Sequence, residues 1–147
     1  MSSSFGLKLE RDDVSKDLKR MLHGMSAAGA RPLLKGIGVG IVGLAKEAFN
    51  NASLRPAPWP AKKDGSPATL KSKEATLWRS LRVQQISGMN VTVGSDRPYA
   101  AIHQLGGESR PMPARPYFPI LNKKLTIPAQ KRIKDIMDEF VLHKKTG

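Results

Sequence analysis

The chain has 147 residues, of which 39% are hydrophobic, 25% charged and only 5% aromatic; a domain of this length buries roughly 70% of the surface its unfolded chain exposes, so an aliphatic core needs no staples. Lys and Arg number 25 against 12 Asp and Glu, a net charge of +13, which leaves nucleic acid, an anionic membrane or an acidic protein surface open as partners. The lack of cysteine excludes disulfides, thiolate metal sites and thiol nucleophiles, and fits assembly in a reducing cytoplasm.

Met1 to Phe5 lacks the basic start and apolar run of a signal peptide. Phe5, Leu7 and Leu9 alternate with Gly6 and Lys8, which predicts a short strand. Asp12 and Asp13 offer an N-cap to a helix whose apolar face is Val14, Leu18, Met21, Leu22 and Met25. Gly29 to Pro32 reads as a break, with Pro32 in the first turn of a second helix. Leu33, Leu34, Ile37, Ile41, Leu44, Ala48 and Phe49 keep helical spacing to about Asn50. Gly36, Gly38, Gly40 and Gly43 interrupt it, each costing on the order of 1 kcal/mol against alanine. Such a helix needs close packing against another element or another subunit. Its most apolar run, Gly36 to Ala45, is shorter than the ~20 residues that cross a bilayer, and no membrane partner is expected.

From Ala52 to Ser72 the prolines Pro56, Pro58, Pro60 and Pro67, with Gly65, predict a long loop that adds nothing to the core and orders on assembly. Between Arg55 and Arg82 seven basic residues face two acidic ones, which makes this the expected basic arm, with Arg55, Lys62, Lys63, Lys71 and Lys73 as its charges. Glu74 to Leu81 predicts a short helix. Arg82 to Ile86 and Asn90 to Val93 flank Ser87-Gly88 and predict a β-hairpin with Val83, Ile86, Val91 and Val93 as its apolar members. Tyr99 to Leu105 predicts one to two helical turns stopped by Gly106-Gly107. Pro111, Pro113, Pro116 and Pro119 hold the next stretch extended. A last helix starts near Pro128, with Ile133, Ile136, Met137, Phe140 and Val141 on one face and Lys144 and Lys145 opposing its dipole.

The string Gly38-Val39-Gly40-Ile41-Val42-Gly43 matches GxGxxG, but a dinucleotide site needs it at a strand-to-helix turn. Here it lies inside a helical pattern, so the glycines are read as a packing surface and no cofactor is expected. The imidazoles are His23, His103 and His143. Catalysis requires a nucleophile, a base and an orienting group together, and nothing local supplies them around His103-Gln104. No catalytic, metal or cofactor residue is assigned, and His103 is read as structural.

The informative segment is Asp96 to Ile120. It carries Tyr99, Ala100, Ile102, His103, Gln104, Gly106 and Gly107, then Pro113, Ala114, Arg115, Pro116, Tyr117 and Phe118. Gly106 and Gly107 permit backbone conformations closed to other residues, the prolines stiffen the strand beyond them, and Arg115 is a fixed fork for a carboxylate or a cluster of carbonyls. The pattern YAxIHQxGG followed by PARP and an aromatic resembles the phage virion-morphogenesis, or tail-completion, family. The hairpin end Val91-Thr92-Val93-Gly94 and the upstream Trp59 match as well.

The residues themselves predict an α+β fold: two N-terminal helices, a small antiparallel sheet and a C-terminal helix packed on it, in one domain over 1–147. The resemblance implies a structural, non-enzymatic protein of the neck, where head and tail meet, made in the host cytoplasm. It also implies a homo-oligomeric ring, with six copies expected, that touches connector and tail proteins and packaged DNA without reading its sequence. Tyr99, His103, Gln104, Gly106, Gly107, Pro113, Arg115 and Pro116 are the expected assembly motif. A basic nucleic-acid-binding protein is the alternative, favoured by the charge and disfavoured by the lack of a recognition motif.

Overall fold

Helix α1, Asp13–His23, turns Leu18, Met21 and Leu22 toward the core, the spacing that predicted it. The fold comes from a computed structural model that describes residues 5–6, 13–70, 76–97, 99–107, 112–121 and 124–146. Leu7, Leu9, Asp12, Lys71, Lys73, Glu74, Glu108, Arg110, Pro111 and Lys123 lie outside these residues, as do the side chains of Val14, Lys144 and Lys145.

The break between the first two helices falls earlier than Gly29 to Pro32. Helix α2 spans Ala27–Ala48, and Ser26 caps it, its Oγ accepting from the Gly29 N–H at 3.0 Å. A serine at this position meets one of the donors that a helix start leaves unpaired. Pro32 therefore sits in the second turn, where it cannot donate to the Ala28 carbonyl. Ala28 is exposed, so that carbonyl is open to water.

Helix α2 is the centre of the molecule. Ala30, Leu33, Leu34, Ile37, Ile41, Leu44 and Ala45 are buried along it. Strands β2, Arg82–Ser87, and β3, Asn90–Ser95, form the expected antiparallel hairpin. Strand β1, Phe5–Gly6, pairs with β3 on its other side, giving the order β1-β3-β2. At the hairpin tip Ser87 pairs with Asn90, and Gly88 takes φ 57°, as a two-residue turn led by glycine requires.

Val83 and Ile86 are three residues apart, an odd spacing that would put them on opposite faces of a regular strand. The register shifts between Val83 and Gln85, so that Val83 pairs with Val93 and Ile86 with Val91. The extra residue, Gln84, brings all four apolar side chains to one face.

The glycines of α2 serve two neighbours. A Cβ on Gly38 would stand 2.8 Å from Val83 Cγ2 and 2.9 Å from Val91 Cγ2, so here the helix rests on the sheet. On the other side, a Cβ on Gly40 would stand 2.8 Å from Ile136 Cδ1, and Gly36 faces the same isoleucine. Ile136 belongs to α5, Ile127–Thr146, which Thr126 caps. The two-residue strands β4, Ile120–Leu121, and β5, Lys124–Leu125, lead into it and were not foreseen.

The architecture is α+β, with the C-terminal helix joined to the sheet through α2, which both elements contact closely. The expected close packing of the glycines occurs within one chain. Helix α2 is long and apolar enough to cross a membrane by length and composition, longer than the run Gly36 to Ala45 suggested. Its buried apolar residues instead face the sheet and α5, while Val39 is 56% exposed.

On α5, Ala129 and Ile133 are fully buried, and Ile136, Met137 and Phe140 pack partly buried against the core. Val141 is 39% exposed, contrary to its expected place on that face. It lies about 100° round the helix from Phe140, beyond the edge of the buried stripe.

Candidate functional site

The segment singled out in the sequence forms a knot of short elements beside the C-terminal end of α2. Helix α3, Thr76–Ser80, is tied there by Trp78, whose Nε1 donates to the Lys46 carbonyl at 3.2 Å. Helix α4, Ala100–Leu105, stops where expected. Gly106 takes φ 82°, its N–H donates to the Ile102 carbonyl at 2.7 Å, and a Cβ there would lie 3.2 Å from the Met112 carbonyl oxygen. Only glycine meets both the positive φ and the close approach. The Gly107 N–H then donates to the Met112 carbonyl at 3.1 Å, closing an antiparallel bridge.

Gln104 is 4% exposed and works as a surrogate peptide group. Its Oε1 accepts from the N–H groups of Tyr117, at 3.0 Å, and Phe118, at 2.9 Å, while its Nε2 donates to the Phe118 carbonyl at 3.3 Å. These bonds satisfy backbone groups that a proline-rich segment cannot pair in a sheet. Tyr117 is fully buried and donates its hydroxyl to the Ala100 carbonyl at 2.7 Å, and burial raises its pKa above the ordinary tyrosine value.

Arg115 is 8% exposed and joins three segments. Its backbone N–H donates to the His103 carbonyl at 2.7 Å, its Nε to the Pro60 carbonyl at 2.9 Å and an Nη to the Ala61 carbonyl at 3.1 Å. Of the two partners considered for its fork, the geometry uses carbonyls, and they belong to the same chain. Pro116 helps on the other side, its carbonyl accepting from Trp59 Nε1 at 2.7 Å. Pro113 is exposed in the stretch without regular structure that precedes Arg115.

The proline-rich loop is therefore not an addition outside the core. Trp59 packs edge-on against Phe49, with ring centroids 5.8 Å apart, and Phe49 meets Tyr117 at 5.5 Å. Arg55, expected in the basic arm, folds inward. Its Nε donates to the Ala48 carbonyl at 2.7 Å and an Nη to the Phe49 carbonyl at 3.1 Å, and its guanidinium lies 3.7 Å from the Trp59 ring centroid. It closes the C-terminal end of α2, where unpaired carbonyls and the helix dipole favour a cation. The aromatic and the arginine satisfy each other, which composition alone did not reveal.

Lys62 and Lys63 remain exposed, on a turn fixed by Asp64 and Gly65. Asp64 Oδ1 accepts from the Ser66 hydroxyl at 2.6 Å and the Ser66 N–H at 2.9 Å, bonds that hold its carboxyl below the usual range. Between this loop and α4 opens a cleft of about 370 Å³, lined by Lys62, Leu70, Leu77, Tyr99, His103 and Arg115 among others. Tyr99 and His103 meet edge to face with centroids 5.9 Å apart. His103 Nδ1 is buried and, among the described residues, has no hydrogen-bond partner. Burial, and then the Arg115 charge, hold the His103 pKa below its ordinary value, so the ring is neutral at neutral pH.

The structure thus gathers Tyr99, His103, Arg115 and Lys62 at one cleft, and puts Gln104, Gly106, Gly107 and Pro116 in the scaffold behind it. Sequence reasoning missed Leu70 and Leu77 as members of the cleft. Leu70 has φ 54°, a left-handed value for which its sequence gives no sign. Among the described residues no three of His, Cys, Asp or Glu gather as metal ligands.

No curated protein and no solved structure gives a significant match to the chain. The sequence profile of the phage virion morphogenesis family matches residues 9–141, a span that holds α2, the hairpin, the knot and most of α5. With nearly the whole fold inside that match, the chain belongs to the phage virion morphogenesis family and has a structural role in assembly of the phage virion.

Proposed function

We propose that the chain is a non-catalytic protein of the phage neck that completes the tail and joins it to the head, as a closed ring of its own copies. Six copies is the stoichiometry we adopt, set between connector and tail proteins. The observation that carries this reading is how the motif's polar groups are used. Gln104 and Arg115 bond to backbone at Tyr117, Phe118, Pro60 and Ala61, which is what a motif for building a surface does and a motif for a chemical step does not. The ring itself is supported by the family alone. The glycines of α2, which in sequence suggested a subunit contact, are covered by the chain's own sheet and α5. Closed cyclic assembly is the usual solution for a surface that must encircle a conduit.

Complementation of a phage lacking this gene tests the reading. The wild-type chain should restore joined particles, with density for several copies at the neck. A neck that holds one isolated copy, or none, would sink it.

A second reading is supported by the net charge of +13 and by exposed Lys62 and Lys63, namely contact with the phosphates of conduit DNA. Such binding weakens steeply with salt and ignores base identity. Tight binding to one DNA sequence at physiological salt, poorly competed by random DNA, would overturn this in favour of a dedicated recognition protein.

A further inference from the structure

We propose that the cleft between the proline-rich loop and α4 is a socket for an acidic side chain, a glutamate or aspartate presented by a neighbouring protein of the assembly. This rests on the neck reading for the presence of that neighbour, while the chemistry of the socket belongs to the chain alone.

The cleft, at about 370 Å³, lies near the lower end of the range for ligand sites and admits an acidic side chain with room for its flanking groups. Among the described residues its charged wall has one sign. Lys62 lies at the loop side, Arg115 lines it although two of its nitrogens are engaged with Pro60 and Ala61, and no Asp or Glu stands among the described lining residues. Tyr99 and His103 add a hydroxyl and an imidazole, and Leu70 and Leu77 provide an apolar surface for a methylene stem.

Two further features have no account among the described residues. His103 Nδ1 is buried without a partner among the described residues, and buried polar atoms of this kind call for one. Leu70, at the same cleft, holds a left-handed backbone, a conformation that tends to persist where a site requires it. A carboxylate entering here meets two cations and places a negative charge beside the imidazole.

The shape selects the source of the charge. Phosphates of duplex DNA lie along a convex backbone flanked by sugars, and they suit exposed lysines such as Lys63 better than a recess. A second copy of a chain with net charge +13 is a poor donor of carboxylates. An acidic protein neighbour satisfies both conditions.

The experiment follows the His103 imidazole and the Tyr99 ring by NMR in the full chain as pentaglutamate peptide is added, with pentaglutamine and a short random-sequence DNA duplex as controls. Pentaglutamate should shift both residues and raise the His103 pKa, and pentaglutamine should do neither. Lys62→Ala should weaken the peptide by about threefold to tenfold, the range for a charge-assisted contact at a partly exposed site. The fold should persist in that variant, because the hydrogen bonds of Lys62 to Ser66 and Gly65 are made by its backbone.

Failure of pentaglutamate to move His103 overturns the proposal. So does an equal response to the duplex, which would make the cleft a phosphate site. A shift of His103 in a Glu74→Gln variant without peptide also overturns it, since the chain's own carboxylate would then be the occupant. A gene-deleted phage that builds normal necks removes the neck reading and leaves each of these outcomes intact.

Discussion

The side chain of Gln104 pairs with the backbone of Phe118 as one peptide group pairs with another, accepting from its N–H at 2.9 Å and donating to its carbonyl at 3.3 Å. A second N–H, that of Tyr117, bonds the same amide oxygen at 3.0 Å. One buried side chain thus replaces a missing strand.

Gln104→Met keeps most of the volume and removes these bonds. Two buried N–H groups then lack acceptors, and the loss of stability should be about 2–4 kcal/mol. Gln104→Ala should cost more, because it adds a cavity. Denaturant unfolding checks both. A Met variant within about 0.5 kcal/mol of wild type would show that the amide is replaceable, the level of an ordinary surface substitution.

Arg115→Ala should release the Arg55 to Ala61 segment. It removes both side-chain bonds to the Pro60 and Ala61 carbonyls, a loss of about 2–3 kcal/mol. Arg115→Lys should recover only part, since an ammonium lacks the planar fork. Hydrogen exchange should show faster exchange at the Lys62 and Gly65 amides in the alanine variant. In complementation, Arg115→Ala should leave heads and tails unjoined or tail ends faulty, and full infectivity of a His103→Ala, Arg115→Ala double variant would contradict the structural importance of the knot.

The glycines of α2 should separate by sign. A Cβ on Gly36 would stand 3.4 Å from Ile136 Cγ2 and one on Gly43 3.6 Å from an Arg132 Nη, ordinary contacts. Gly36→Ala and Gly43→Ala should therefore each stabilise by about 0.5–1 kcal/mol through helix propensity. Gly38→Ala drives a methyl to 2.8 Å from Val83 and 2.9 Å from Val91, whose β-branched side chains are stiff at χ1. It should destabilise by about 1–3 kcal/mol. Thermal unfolding of the three variants tests the assignment of faces.

Stability should fall on mild acidification through His103. Burial and the nearby Arg115 lower its folded pKa, so below its ordinary value near 6.5 the unfolded chain binds the proton first. The contribution is complete above that pH and is lost as pH falls through the depressed folded value. His103→Gln removes this part of the profile, and unfolding of the two proteins across that window reads it. An unchanged slope in the variant would contradict the assignment.

Much of the fold was legible because periodicity reports burial. The faces of α1, α2 and α5, the hairpin and the glycine stop after α4 follow from spacing and turn chemistry. What escaped depends on pairings across the sequence. Arg55 reads as a mobile charge until Trp59 and the end of α2 are beside it. Val83 and Ile86 share a face only because Gln84 bulges, and their spacing alone does not say so. Ser26 caps α2 six residues before Pro32, so the proline does not mark where the helix begins. At the site, the motif indicated which residues matter but not their partners, because Gln104 and Arg115 bond to backbone, and a carbonyl at Pro60 or Ala61 has no side-chain signature.

The fork of Arg115 also ties together distant parts of the sequence. It closes loops of 55 and 54 residues, while the turn from Gln104 to Phe118 closes 14. The short loop forms at less entropic cost than the long ones. On loop entropy alone the contact between Gln104 and Phe118 is the easier to close, by on the order of 1 kcal/mol, and the carbonyls of Pro60 and Ala61 gain their partner once residue 115 is present. During synthesis, Pro60 and Ala61 leave the ribosome long before Arg115 exists. A chain released before residue 115 would leave Trp59 with the Phe49 ring and the Arg55 guanidinium but without the Pro116 carbonyl that its Nε1 bonds.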